Sequence, residues 1–425
     1  MSKKKHPVHQ WSLGNGLRVV CQHMPLCPSV SVGVWVGAGS LHERQEDNGS
    51  AHFLEHMLFK RTQTRTAREI AREMDAIGGQ VNAFTEKECT CFHARVIPEH
   101  LPRALALLAD LLLHPALDEQ EFETERGVIL EEIAMGEDDP EGLADEKLAE
   151  ALFGAHPLAR PILGKREGIQ AMTRAALLGY RKRHYRPDNT VLAIAGNLPE
   201  PGVILEMAEG LLGAWQGEGN APQEEEAFLG KPRVIKLSRP FEQVQLALGW
   251  LAPARGSSAL PAAWALSALL AEGNDSRLFQ RIREQMGAAY NLYSDVSAYP
   301  KTGAFAIQIG TSSQESERVL DALFEEIHRI LEQGLAPQEL HSAQAQLRIA
   351  CVLADESSAD RMDLLGRSLL LRGRVVPAEE TLQAIDALRT EDVEGTAAQI
   401  FASKPAAAMV GRGVRRLSLV QRPTP

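Results

Sequence analysis

His52-Phe53-Leu54-Glu55-His56 places two imidazoles and a carboxylate within one predicted helix. At about 100° per residue, His52 and His56 lie about 40° apart around the helix axis, and Glu55 lies about 60° to the other side of His52. All three side chains can therefore reach one point in space. Imidazoles at positions i and i+4 often hold a zinc ion, and a neighbouring carboxylate can take a proton from metal-bound water.

This H-x-x-E-H pattern has two interpretations. It is the inverted form of the H-E-x-x-H motif that binds zinc on helices. It also occurs by chance, because two histidines and a glutamate can simply form the polar face of a surface helix. A second segment with matching chemistry is needed to decide between a metal site and a polar face.

That segment is 119–135, which predicts an amphipathic helix. With Glu125 placed at 0°, the apolar arc extends from about −80° to about +140° around the axis. Glu132 falls inside this arc at about −20°, whereas Glu131 falls outside it at about −120° and is expected to face water. The apolar residues of the arc are Val128, Ile129, Leu130, Ile133 and Met135.

Two carboxylates on an apolar face require a cation, because an unpaired buried charge is costly. A metal meets this need, with Glu132 as a third ligand beside His52 and His56. Glu125 would then be a supporting carboxylate. Three protein ligands leave a fourth position open for water, as in catalytic sites. The alternative is that Glu125 and Glu132 pair with buried arginine or lysine side chains.

The composition limits the class of protein. A chain of 425 residues with 44% hydrophobic and 24% charged residues predicts a soluble globular protein of two or three domains. The net charge of −11 disfavours nucleic-acid binding and attachment to anionic membranes.

Cysteine usage and apolar runs bear on location. The five cysteines are an odd number without a disulfide framework, which indicates a reducing compartment. Cys89 and Cys91 share one face of a predicted strand and are expected to pack rather than bind metal. The sequence has neither an apolar leader segment nor a run of about 18 apolar residues. We therefore expect a bacterial cytoplasmic protein without a signal peptide or membrane span.

The chain divides into two halves with a similar order of predicted elements. The segment 213–231 is rich in glycine, proline and glutamate and predicts an exposed linker. We therefore expect an N-terminal domain at 1–216, a linker at 217–230 and a C-terminal domain at 231–425. Predicted strands at 30–36, 80–84 and 90–96 correspond to strands at 244–250, 290–296 and 304–309, and predicted helices cover 101–113, 119–135, 174–185, 261–285, 313–333 and 337–354.

Gene duplication explains this similarity. It predicts an α+β protein of two homologous domains, each a mainly antiparallel sheet covered by helices. Only the first half contains H-x-x-E-H. The first domain is therefore expected to hold the metal, and the second to help enclose the substrate.

Ordered blocks along nearly the whole chain carry a family resemblance. They are LGNGLRVV at 13–20, WVGAGS at 35–40, AHFLEHMLFK at 51–60, GGQVNAFT at 78–85, the segment 125–135 followed by Asp139-Pro140, YRP at 185–187 and AGN at 195–197. They resemble the pitrilysin, or M16, family of zinc peptidases, also called inverzincins. The resemblance is strongest to the half-length members related to the mitochondrial processing peptidase and to small bacterial M16 peptidases. It implies the LuxS/MPP-like metallohydrolase fold.

The resemblance implies roles for residues of the first half. The family's zinc ligands match His52, His56 and Glu132, with one zinc per chain. Its general base matches Glu55, and its supporting carboxylate matches Glu125. These assignments agree with the helical-wheel argument.

Further residues enter through the resemblance alone. Arg283 and Tyr290 match the family's arginine/tyrosine pair, whose guanidinium and phenol can hold substrate carbonyls. Without the family, Arg283 would be a solvated helix charge and Tyr290 a core residue at the start of a strand. The other match is to the family's substrate-binding edge strand, on which an extended peptide adds by main-chain hydrogen bonds. Its residues here are Asn82, Ala83 and Phe84.

The implied function is that of a zinc-dependent endopeptidase. It would hydrolyse peptides or unfolded polypeptide segments inside a chamber, with Glu55 as general base on zinc-bound water. The alternatives are a non-catalytic scaffold or partner subunit of an M16 heterodimer, and an enzyme that uses another divalent metal. The expected partners are peptide substrates and a second chain, either identical or an M16 paralogue. In a homodimer, Arg283 and Tyr290 of one chain would reach the zinc site of the other.

Overall fold

The structure is a computed structural model that describes residues 7–78, 80–217, 231–354 and 356–419. The predicted linker at 217–230 lies outside these residues except for Gly217. The described residues form two compact units, each with its own sheet. The first unit lies within Met1–Ile133, Pro161–Gln223 and Val352–Val376, and the second within Ala134–Arg160, Glu224–Cys351 and Pro377–Pro425.

Strands and helices are numbered in chain order. The strands are β1 (Val8–Ser12), β2 (Arg18–His23), β3 (Val30–Val36), β4 (Gln80–Thr85), β5 (Thr90–Val96), β6 (Thr190–Gly196), β7 (Val234–Ser238), β8 (Gln243–Ala252), β9 (Asn291–Ala298), β10 (Gly303–Ser312) and β11 (Ala406–Gly411). The helices are α1 (Ser50–Leu58), α2 (Ala67–Ala76), α3 (Leu101–Leu113), α4 (Glu119–Asp138), α5 (Pro140–Phe153), α6 (Arg166–Ala171), α7 (Arg174–His184), α8 (Pro201–Leu212), α9 (Leu260–Ala271), α10 (Ser316–Gln333), α11 (Pro337–Ala354), α12 (Ser358–Arg372), α13 (Ala378–Asp386) and α14 (Thr390–Phe401). None of the described helices is long and apolar enough to cross a membrane.

The two sheets share one topology. The first has the strand order β1-β2-β6-β3-β5-β4, and the second has the order β7-β11-β8-β10-β9. Apart from the additional β1, each strand of the first sheet has a counterpart in the second in the same chain order. One pair in each sheet is parallel, β2 with β6 and β7 with β11, and the other neighbours are antiparallel. The predicted α+β class with two homologous, mainly antiparallel sheets is confirmed.

The central strand β3 explains how the first sheet is covered on both faces. All seven residues of β3 are buried, as expected for a strand with helices on either side. On one face, α1 and α3 contribute to a core that includes Val34, Phe53 and Leu105. On the other face, Trp35 and Cys91 pack against α12. The predicted packing role of Cys89 and Cys91 is confirmed, because both are buried free thiols in this second cluster.

Each unit takes one covering helix from the other half of the sequence. The helix α5 belongs to the first half but packs on β8 and β11, whereas α12 belongs to the second half but packs on β2, β3 and β6. The compact units therefore differ from a simple division at the linker. Close contact of α12 with the sheet depends on two glycines, because a Cβ at Gly33 would overlap Met362 and one at Gly366 would overlap Trp35. Local periodicity does not reveal which sheet a helix will cover.

Two predicted segments require correction. The predicted helix at 261–285 is interrupted, since α9 ends at Ala271 and a π-helix spans Phe279–Gln285. The interruption follows from the sequence of the break, where Gly273 has a φ of +80° and is followed by turn-forming Asn, Asp and Ser. The apolar arc predicted for α4 is also too wide, because it includes Val128 and Met135, which are exposed.

Candidate metal centre

The buried carboxylate of Glu43 binds the N-terminus of α1, the helix that carries the H-x-x-E-H pattern. Glu43 accepts hydrogen bonds at Oε1 from the Ala51 amide (2.7 Å) and at Oε2 from the Gly49 amide (2.9 Å) and the Asn48 side chain (2.7 Å). These bonds satisfy amides that a helix N-terminus otherwise leaves unpaired. Phe53 of α1 stacks on Phe122 of α4 with ring centroids 4.6 Å apart. The Glu43 bonds cap the N-terminus of α1, and the stacked rings pack α1 against α4.

Three predicted ligands converge between these helices. The Glu132 Oε2 atom lies 3.7 Å from Nε2 of His52 and 3.6 Å from Nε2 of His56. One donor atom from each residue lies within 4.8 Å of the others. With bonds of about 2.1 Å in tetrahedral geometry, ligand atoms of zinc lie about 3.4 Å apart. The spacing and the mixed nitrogen and oxygen donors therefore fit a divalent transition metal.

The electrostatics of His52 also suit metal binding. Burial, with a smaller effect from neighbouring His56, lowers the pKa of His52 to about 4. The imidazole is therefore neutral at pH 7, which is the form that coordinates metals. In the described part of the chain, the His52 Nδ1 atom is buried without a hydrogen-bond partner.

Glu132 and Glu131 differ in exposure as the wheel predicts. Glu131 is exposed, whereas Glu132 is half-buried beside the histidines. The buried face of α4 consists of Phe122, Glu125, Ile129 and Ile133. Val128 and Met135, which the predicted apolar arc includes, are 40% and 71% exposed. Glu132 thus lies at the rim of the buried face, where a ligand can remain open to water.

Glu125 contacts both His56 and the cation of Lys60. Its Oε2 lies 3.2 Å from Nδ1 of His56, and its Oε1 lies 2.8 Å from Nζ of Lys60. The predicted role as a carboxylate supporting a ligand is compatible with the first contact. The alternative interpretation, in which the glutamate pairs with a lysine, also applies to Glu125, because Lys60 offsets its charge. Glu132 has no such lysine or arginine partner among the described residues.

Glu55 lies on the same helix, and its carboxylate is held by a neighbouring strand. Thr85, at the end of β4, donates a hydrogen bond of 2.6 Å from Oγ1 to the Glu55 Oε2 atom. Burial raises the pKa of Glu55, and this hydrogen bond opposes that shift. A half-buried carboxylate beside a metal site can accept a proton from water and later release it.

The predicted substrate strand is the edge strand β4. Its partner in the sheet is β5, and its other side has no strand partner in the described residues. Asn82 is exposed, and Ala83 and Phe84 are half-buried. An exposed strand edge offers main-chain groups to an extended peptide.

The predicted arginine/tyrosine pair lies in the second unit. Arg283 is exposed near the end of the π-helix, with its guanidinium carbon 5.2 Å from the Phe279 ring centroid. Tyr290 is 61% exposed and directly precedes β9. The interpretation of Tyr290 as a core residue is therefore wrong, whereas Arg283 is indeed an exposed helical charge. Both side chains are accessible, as binding a peptide would require.

Two family models match successive parts of the chain. The family model described as insulinase (peptidase family M16) matches residues 18–166, and the model described as peptidase M16 inactive domain matches residues 171–347. An uncharacterized zinc protease of Mycobacterium tuberculosis is 40% identical over 418 residues, which cover 96% of this chain and 94% of the relative. One of Bacillus subtilis is 35% identical over 403 residues, which cover 95% and 98%. The chain belongs to peptidase family M16.

Solved structures share the M16 fold. A protease from Helicobacter pylori has a TM-score of 0.86 at 22% identity, with 96% of this chain and 100% of that chain covered. A peptidase M16 inactive domain from Pseudomonas fluorescens has a TM-score of 0.87 at 22% identity, with 98% and 100% covered. The match to the inactive-domain model agrees with the sequence of the second half, which lacks H-x-x-E-H.

The sequence did not predict two contacts of this site, that of Lys60 with Glu125 and that of Thr85 with Glu55. Lys60 is four residues after His56 and two residues past the end of α1, so helical spacing would have indicated its approximate direction but not its contact with Glu125. Thr85 shares a strand face with Val81 and Ala83 by alternation, which would have indicated a direction but not its contact with Glu55. The Glu43 cap has no comparable local signal, because it reaches α1 through an irregular segment.

Proposed function

We propose that this chain is a zinc-dependent endopeptidase. The observation that carries the proposal is the convergence of His52, His56 and Glu132 within 4.8 Å of one another, with Glu55 on the same helix as the two histidines. The relatives named zinc proteases and the family's inverted motif support zinc as the metal. His52, His56 and Glu132 would hold it.

Glu55 and Glu125 have different roles in the proposed reaction. Zinc, when bound, supplies Lewis-acid polarisation of a carbonyl and lowers the pKa of a water. Glu55 acts as general base by accepting a proton from the attacking water, and then acts as general acid by giving that proton to the leaving amine. Glu125 orients His56 through Nδ1.

Substrate binding involves the edge of β4. An extended peptide adds to this edge by main-chain hydrogen bonds, with Asn82, Ala83 and Phe84 as the receiving segment. Arg283 and Tyr290 hold substrate carbonyls. Strand addition recognises the main chain of the substrate more than its side chains. The proposed substrates are therefore peptides and unfolded polypeptide segments, which would be hydrolysed inside a chamber.

A non-catalytic scaffold is the second candidate. The match of residues 171–347 to an inactive-domain model is the observation in its favour. That range lies beyond His52, Glu55, His56 and Glu132, so it describes residues that follow the metal motif and not the motif itself. The retained ligands and base favour the enzyme.

The experiment compares wild type with Glu55→Gln and His52→Ala. Each protein is assayed on an unfolded polypeptide such as reduced casein, and its zinc content is measured. We expect about one zinc per chain and hydrolysis for the wild type. Glu55→Gln should keep the zinc and lose hydrolysis, whereas His52→Ala should lose both. A wild type that binds no zinc under metal-replete conditions would favour the scaffold, and near-normal turnover by Glu55→Gln would refute the assignment of the base.

A further inference from the structure

Thr85 connects the predicted substrate strand to the proposed general base. Its hydroxyl lies at the end of β4, 2.6 Å from the Glu55 Oε2 atom. Within the sheet, Thr85 is paired with Thr90 of β5. From these contacts we infer that Thr85 is a positioning residue that fixes the orientation of the Glu55 carboxylate. This inference rests on the proposed function, because it concerns how the base is held.

The donors and acceptors around Thr85 allow one arrangement of protons. An ionised carboxylate only accepts hydrogen bonds, so Thr85 is the donor to Glu55. Thr90 Oγ1 lies 3.3 Å from Thr85 Oγ1 but gives its proton to the Ala38 carbonyl at 2.8 Å. The proton of Thr85 is therefore committed to Glu55.

This bond distinguishes the two oxygens of Glu55. Oε2 receives the Thr85 hydroxyl, while Oε1 has no protein donor in the part of the chain that the structure describes. Oε1 is therefore the oxygen left to accept a proton from water. A half-buried glutamate without such a bond would sample several rotamers, and a base must lie within hydrogen-bond distance of the proton that it removes.

The location of Thr85 also couples two parts of the site. Asn82, Ala83 and Phe84 directly precede it in the same strand, so a peptide that adds to β4 contacts the segment that holds the base. Thr85 acts on the reaction only through Glu55.

The test compares Thr85→Val with Thr85→Ser. Valine keeps the shape and strand preference but removes the hydroxyl, and serine restores it. We expect Thr85→Val to bind zinc normally and to lower kcat by about 10- to 100-fold with KM changed less than about twofold. Thr85→Ser should recover most of kcat. The control is Thr396→Val, which removes a buried hydroxyl that donates to the Asp392 carbonyl in α14; its kcat should equal that of the wild type.

A structural readout makes the test independent of turnover. In crystals of the zinc-loaded proteins, Glu55 should have one orientation in the wild type and in Thr85→Ser, and a different or divided orientation in Thr85→Val. An unchanged Glu55 in Thr85→Val, or a kcat equal to that of the wild type, would overturn the inference. If the wild type cleaves no peptide, the proposed function fails, while the orientation of Glu55 still decides whether Thr85 positions it.

Discussion

The His56 Nδ1 atom lies 3.2 Å from the Glu125 carboxylate, while the Nε2 atom of the same ring lies 3.6 Å from Glu132. One imidazole is therefore held between two carboxylates of α4. A proton on Nδ1 that is donated to Glu125 leaves the Nε2 lone pair directed at the metal position. His56 is thus the better oriented of the two histidines.

This relationship predicts the order of metal affinities among variants of α4. Glu125→Gln should weaken zinc binding about 10- to 100-fold, because the amide is a poorer partner for Nδ1. Glu132→Gln should weaken zinc binding more, because it alters a proposed ligand. Glu131→Gln is the matched control and should bind zinc like the wild type. Competition with a chromogenic chelator measures all three, and loss of zinc in Glu131→Gln but not in Glu132→Gln would reverse the assignment.

A second prediction concerns the contact of α12 with β4, the proposed substrate strand. The Arg367 guanidinium donates to both carboxylate oxygens of Glu86, one step past β4, and its carbon lies 5.1 Å and 5.5 Å from the ring centroids of Trp35 and Phe84. Lysine cannot reproduce this forked, stacked geometry. Arg367→Lys should therefore raise KM for peptides, leave zinc content unchanged and lower the free energy of unfolding by about 1 kcal/mol.

The control for Arg367 is an exposed ion pair. Arg389→Lys alters a pair with Asp392 in which the arginine side chain is 72% exposed. Such pairs contribute little to stability, so neither KM nor the melting temperature should change. Equal effects of the two substitutions would show that Arg367 has no special role in holding β4.

The half-buried His42 predicts a loss of stability in acid. Burial lowers the pKa of His42 to about 4, and its Nδ1 accepts the Gly39 amide at 3.2 Å. Below pH 6.5 the unfolded chain binds a proton that the folded chain does not accept until about pH 4, so stability falls as the pH drops through this window. The loss from this residue should be at most about 3 kcal/mol.

Thermal unfolding of the metal-free protein checks this effect. His42→Asn keeps an acceptor for the Gly39 amide but cannot be protonated in this range. Its melting temperature should fall less between pH 7 and pH 4.5 than that of the wild type. His341→Asn, which alters an exposed histidine on α11, should show the wild-type fall. Identical pH profiles for all three proteins would exclude His42 as a source of acid sensitivity.

Assembly is tested by complementation. If two copies form the chamber as a twofold dimer, Arg283 and Tyr290 of one copy act at the metal site of the other. Mixing an inactive Glu55→Gln chain with an inactive Arg283→Ala/Tyr290→Phe chain should then restore part of the activity, because one site of the mixed dimer has an intact base and an intact pair. If subunit exchange is demonstrated and no activity returns, the pair does not act between chains.

The sequence predicts those parts of the fold and site that depend on local periodicity. The predicted segments 30–36, 90–96 and 101–113 coincide with β3, β5 and α3, because their apolar patterns extend over the full element. His52, His56 and Glu132 were also accessible to this reasoning, since helical spacing fixes their directions.

Contacts between distant segments were not accessible in the same way. The insertion of β6 between β2 and β3 joins segments far apart in the chain, and a strand pattern does not specify its partners. The bond from Thr85 to Glu55 depends on how a hairpin packs beside α1. The exposure of Val128 and Met135 depends on how wide a surface packs against α4. A helical wheel gives the direction of each side chain but not the width of that surface.

The exchange of α5 and α12 has an evolutionary consequence. The two helices occupy equivalent places in the duplicated order. In each half, the exchanged helix directly follows two consecutive helices: α5 follows α4, and α12 follows α11. A reciprocal exchange of equivalent elements is the defining property of a domain-swapped dimer. The present chain has the connectivity of such a dimer joined end to end. An ancestor with one repeat and the same arrangement would have been an obligate pair, since a single copy would leave one face of its sheet bare.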